Sequence, residues 1–115
     1  MKFLLAISIL IVLIAFPTRR SAAQTMKEPE TEDVAKGKQV YGAKCEICHY
    51  STSTEKKIGP GLAGLMKRER FRNGMKADDE NLRRVVERGG KDMPGFRNSL
   101  KSAQIRDLIA YVKTL

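Results

Sequence analysis

The chain is poor in the residues that build metal clusters and disulfide scaffolds. It has two cysteines, one histidine and no tryptophan among 115 residues. A zinc site made of Cys and His alone needs four ligands, and this chain holds three candidates. Two cysteines allow one bridge at most, so a multi-disulfide framework is excluded. A site with two histidines from one chain is excluded in the same way. Acidic residues are scarce too: 13 Asp and Glu against 22 Lys and Arg leave a net charge of +9. The length allows one domain. No apolar run reaches the ~20 residues of a membrane-spanning helix. The longest, residues 3–16, is 14 residues with one serine inside it.

That run carries the marks of an address. Met1-Lys2 is a short basic start, Pro17-Thr18-Arg19-Arg20 ends the apolar stretch, and Ser21-Ala22-Ala23 supplies small residues for a peptidase. The pattern predicts a secretory signal over 1–23 and a periplasmic location. The alternative is a retained N-terminal anchor, since Arg19 and Arg20 directly follow the run. No stable membrane insertion is expected unless the leader is kept. Cleavage after Ala23 removes three basic residues and no acidic one, leaving 92 residues at +6. Both cysteines then work in an oxidising compartment. A domain this small buries only about 60–65% of its unfolded surface. It also loses Phe3 and Phe16, half of its phenylalanines, with the leader. A bound group is therefore expected to fill the centre of the fold.

Residues 24–32 are polar, include Pro29 and have no apolar period, which predicts a flexible tether. The domain proper is expected over 33–115, all-α, with three main helices and long loops. Asp33 is a suitable N-cap for a first helix to about Lys44, with Val34, Gly37, Val40 and Tyr41 on one stripe. Residues 50–64 form a loop, and 65–72 a short helical stretch ended by Asn73-Gly74. Asp78-Asp79-Glu80 opens a second helix that buries Leu82, Val85 and Val86, and Gly89 stops it as a left-handed residue. Residues 91–100 are again loop. In the last helix, opened by Ser102 or its neighbour, Ile105, Leu108, Ile109 and Val112 recur at i, i+3, i+4, i+7.

Chemistry concentrates in Cys45-Glu46-Ile47-Cys48-His49, the C-x-x-C-H attachment signature of c-type haem. Two thiols three positions apart near a helix end can both add to vinyl groups on one porphyrin edge, and the adjacent imidazole can then reach the iron. A thioredoxin-like disulfide would need strand–helix–strand units that the sequence lacks. Zinc would lack a fourth Cys or His, and an ordinary surface histidine remains the plain alternative for His49. For a sixth ligand the mature chain offers Met26, Met66, Met75 and Met93. Met26 lies in the tether, and Met66 and Met75 flank a basic segment with few apolar neighbours. Met93 stands in Asp92-Met93-Pro94-Gly95-Phe96, where Pro94 fixes the backbone, Gly95 permits a tight path and Phe96 can pack near a macrocycle. The alternative for Met93 is an adaptable core filler.

Together these features resemble the small bacterial class I cytochromes c, over 33–115. The matching pieces are the first helix running into Cys45–His49, then Gly59-Pro60-Gly61-Leu62, Met93-Pro94 with Phe96, and a last helix ending Ala110-Tyr111-Val112. The resemblance implies one covalent haem c, with Cys45 and Cys48 in thioether links, His49 and Met93 on the iron, the Pro60 carbonyl on the other imidazole nitrogen, Leu62 against the haem and Arg68 near a propionate. It implies Gly37 and Tyr41 meeting Leu108 and Tyr111 at a helix crossing. It also implies a one-electron carrier, not an enzyme, because a His/Met iron has no vacant position. The alternative is a haem enzyme or gas-binding sensor with a labile sixth ligand. Larger members carry a Trp near the propionates, which this chain lacks. A monomer is expected, with redox proteins bearing acidic docking surfaces as partners, steered by Lys44, Lys56, Lys57 and the 67–76 cluster; a merely solvated basic surface is the alternative. Nucleic acid is not expected, for want of stacking aromatics.

Overall fold

The computed structural model describes residues 31–115. The expected leader (1–23), Met26 and residues 24–30 of the expected tether (24–32) lie outside the described residues. Three helices organise the rest: α1 (Val34–Lys44), α2 (Asp79–Arg88) and α3 (Ser102–Val112). A 3₁₀ turn at Leu65–Lys67 is the only other helical element described, and a single antiparallel bridge joins Arg70 to Lys76. The all-α expectation holds.

Each helix begins where its local chemistry allows. The Asp33 carboxylate accepts the Lys36 N–H at 3.0 Å, and the Asp78 carboxylate accepts the Asn81 N–H at 2.9 Å. Both satisfy amides that a helix N-terminus leaves without partners. α3 is opened by Lys101, whose N–H donates to the Gln104 side chain at 2.9 Å. α2 ends at Gly89, with φ +71° and ψ −157°. The positive φ was expected, but ψ departs from the left-handed helical region, into a conformation open to glycine alone.

The core forms where α1 crosses α3. Ile105, Leu108, Ile109 and Val112 are each 1–4% exposed, so each contributes about 1.5–3 kcal/mol by burial. The Tyr41 and Tyr111 rings lie 5.3 Å apart at 59°. A Cβ on Gly37 would run into the Asp107 carbonyl and stand 2.9 Å from the Tyr111 Cβ, so only glycine permits this approach. Its immediate neighbour is Asp107 rather than Leu108. Asp107 itself is buried, and its carboxylate accepts the Asp33 N–H at 3.1 Å and the Arg106 guanidinium at 3.2 Å, tying the start of α1 to α3.

Three expectations need correction. Val34 is exposed although it falls on the apolar stripe, because α3 meets α1 further along, at Gly37 and Tyr41. The helical stretch expected over 65–72 stops at Lys67. Arg68 is extended, and 71–75 turns back on itself, the Phe71 N–H bonding to the Met75 carbonyl at 2.8 Å. That turn carries Met75 inward: Met66 and Met75 are not short of apolar neighbours but pack against the core.

Candidate functional site

Beside the core, the loops and α2 enclose a cavity of about 590 Å³. Its walls are largely apolar and are the core's own side chains: Leu62, Leu65, Phe71, Leu82, Val86 and Leu108. All seven residues singled out in the sequence, Cys45, Cys48, His49, Pro60, Leu62, Arg68 and Met93, line it. Met66 and Met75 do not.

The first wall is built at the end of α1. Cys45 caps the helix, and its carbonyl accepts the Cys48 and His49 N–H groups at 3.0 and 2.9 Å, which turns both thiols and the imidazole toward one side. The thiols are free, Cys45 buried and Cys48 half-buried. Burial pushes the Cys45 thiol up to about 11, with Cys48 adding to the shift, so Cys45 stays a neutral thiol at physiological pH. A thiol exchanger or zinc ligand needs the opposite shift. Among the described residues, no three His, Cys, Asp or Glu side chains converge on a metal-sized point.

His49 is held from two directions. Its Nδ1 lies 2.7 Å from the Pro60 carbonyl, an acceptor only, so Nδ1 carries the proton and Nε2 keeps its lone pair. Gly59 lies directly against the ring: a Cβ there would overlap Cε1 and stand 2.7 Å from Nδ1. The loop that supplies both residues is pinned to the thiol segment. The Gly59 N–H donates to the Cys48 carbonyl at 2.7 Å, and Leu62 to that of Tyr50 at 2.8 Å. On the other side, the Tyr41 hydroxyl donates to the His49 carbonyl at 2.8 Å. The sequence pointed to Pro60 only through family resemblance, and it gave no sign of Tyr41 acting here. A backbone acceptor has no side-chain signature, and Tyr41 fell on the core stripe like any aromatic.

Met93 is placed by the end of α2. The Gly90 N–H donates to the Met93 carbonyl at 2.9 Å and the Phe96 N–H to the Val86 carbonyl at 2.9 Å, folding the loop back over the helix terminus. A Cβ at Gly89 would strike the Met93 carbonyl. Arg68 spans the neighbouring loop, its Nη2 donating to the Gly61 and Ala63 carbonyls at 3.0 and 2.9 Å.

Charge at the cavity is lopsided. Lys44, Lys56, Arg68, Arg72 and Lys91 line it with one carboxylate, Asp92. Among the described residues, the ion pairs fall elsewhere, on Lys36, Lys76, Arg83, Arg84, Arg106 and Lys113. Lys57, expected in the same ring, is turned away: it donates to the Glu46 carbonyl at 2.8 Å and lies 5.2 Å over the Tyr50 ring. Of the 67–76 cluster, Arg68 and Arg72 reach the cavity wall, while Lys67, Arg70 and Lys76 do not.

A family model described as cytochrome c oxidase, cbb3-type, subunit III matches residues 32–112, which include the whole of this site. The chain belongs to the cytochrome c family. It is 29% identical to cytochrome c6 of Diacronema lutheri over 80 residues, 70% of this chain and 93% of that protein. The structure of cytochrome c6 from the diatom Phaeodactylum tricornutum superposes with a TM-score of 0.58 at 26% identity, covering 71% of this chain and 92% of that one. Cytochrome cH of Methylobacterium extorquens shares the fold, with a TM-score of 0.52 at 23% identity over 72% and 99% of the two chains. Membership in the cytochrome c family implies covalently bound haem c with its iron, and this cavity suits that group. It has apolar walls, two free thiols on one side and an imidazole whose Nδ1 is already taken up by a carbonyl.

Proposed function

We propose that this cytochrome c is an exported, monomeric one-electron carrier with a single haem, joined through Cys45 and Cys48 and ligated at iron by His49 and Met93. The supporting observation is that one cavity gathers both thiols, the sole imidazole and, of the described methionines, Met93 alone. Haem with this ligand pair supplies a reversible ferric/ferrous couple at raised potential. The protein's part is to hold and insulate. Pro60 fixes the tautomer of His49 and leaves the Nε2 lone pair for the iron. Leu62, Phe71, Leu82 and Val86 exclude water and disfavour the more highly charged oxidised state. Arg68 spends one nitrogen on two carbonyls and keeps further N–H donors for a propionate.

With His49 and Met93 both holding the iron, no ligand position would be left for a substrate, and the group would supply electron transfer rather than catalysis. The cations at the cavity rim fit redox partners with acidic docking surfaces. The leader (1–23), tether (24–32) and haem domain (33–115) then act as address, spacer and carrier, with the periplasm as the working compartment. Among the described residues no helix is long and apolar enough to cross a membrane.

Visible spectroscopy with redox titration tests the proposal. It expects a low-spin ferric spectrum with the methionine–iron charge-transfer band and a reversible one-electron titration. A high-spin spectrum without that band, with fast carbon monoxide binding by the ferrous protein, overturns it in favour of a haem enzyme or gas sensor.

A further inference from the structure

A histidine that must aim one nitrogen in one direction needs its backbone held as well as its ring. The ring of His49 is held by Pro60 and Gly59. Its carbonyl lies past the end of α1, beyond the helical hydrogen-bond ladder, and it accepts the Tyr41 hydroxyl at 2.8 Å. Tyr41 is 3% exposed, with its ring against Tyr111 at the α1–α3 crossing, and Ser51 stands beside its hydroxyl. A phenylalanine ring would fill that space equally well. What the hydroxyl adds is a link between the buried, closely packed α1–α3 crossing and the residue that carries the imidazole.

We propose that Tyr41 is a positioning residue for His49, its hydroxyl anchoring the His49 backbone to the α1–α3 crossing so that the imidazole keeps one orientation in the cavity. This rests on His49 being the iron ligand. The test compares wild-type, Y41F and Y111F holoproteins, with exchange of the His49 Nδ1 proton followed by NMR in the ferrous state and electron paramagnetic resonance recorded in the ferric state. Y41F is expected to retain its haem, exchange that proton about three- to tenfold faster, as loss of one net hydrogen bond implies, and show a broadened low-spin signal. Y111F, which alters the same aromatic pair without touching the carbonyl, is expected to match wild type in both readouts. Y41F indistinguishable from wild type, or Y111F changed to the same degree, overturns the positioning role and leaves ring packing alone. A wild-type protein without imidazole coordination overturns the ligand reading itself, which the wild-type spectra reveal before any variant is compared.

Discussion

At Gly59 a single hydrogen stands between a working site and a blocked one. The His49 ring occupies the space a Cβ would take, and the loop cannot retreat easily because Gly59 N–H is bonded to the Cys48 carbonyl at 2.7 Å. G59A is therefore expected to push the imidazole off its Pro60 acceptor and to reduce haem-loaded protein severalfold, read as the haem-to-protein ratio from an alkaline pyridine spectrum. A wild-type ratio would show that the loop yields without cost. At this scale the sequence was legible in which side chains line the cavity: the thiols and the imidazole through their spacing, and Met93 through its Pro94-Gly95-Phe96 neighbours. It was opaque where backbone or close approach decides. Nothing in the letters says that Gly59 lies under a ring, or that the Tyr41 hydroxyl finds a carbonyl eight residues on. Met66 and Met75 were misread for a related reason: their basic neighbours in sequence hide a 3₁₀ turn at Leu65–Lys67 and a tight turn at 71–75, and both methionines pack against the core.

The helices were legible as elements because caps and apolar period agree. Asp33, Asp78 and Gly89 mark ends, and the i, i+3, i+4, i+7 spacing of Ile105, Leu108, Ile109 and Val112 marks a buried face. Residues 65–72 lack both signals, and there the prediction ran too long. The Asp33 cap also has a pH signature. The Lys36 N–H and its nearby ammonium hold this carboxyl below its ordinary 3.8. Near that value the unfolded chain binds more protons than the folded one, so the stabilisation is present above pH 3.8 and is lost as pH falls through the lowered folded value. D33N, which can still cap but cannot ionise, is expected to lose stability less steeply over that window in acid-unfolding curves. Identical slopes for the two proteins would contradict the assignment. Asp33 lies at the surface, so solvent screens the effect, which is small and is best read as a difference in slope.

Across the whole molecule, the pattern of charge matters more than its total. Among the described residues, the cations that pair with carboxylates all lie away from the cavity, such as Lys113 with Asp79 at 2.6 Å and Arg84 with Glu80 at 3.1 Å. Those at the cavity, Lys44, Lys56, Arg68, Arg72 and Lys91, have no ion pair among the described residues. Composition showed the excess, but only the fold shows where it collects. Electron transfer to a partner with an acidic face is expected to slow as ionic strength rises, and K44Q/K56Q to flatten that dependence while leaving the potential nearly unchanged. A rate indifferent to salt in stopped-flow mixing would dismiss steering. The central claim, a haem stitched to this chain through its only two thiols, faces its most direct test in the intact mass of the denatured exported protein. The account predicts the mature polypeptide plus one haem, with the red chromophore still attached after denaturation. A colourless protein weighing no more than bare polypeptide would contradict it.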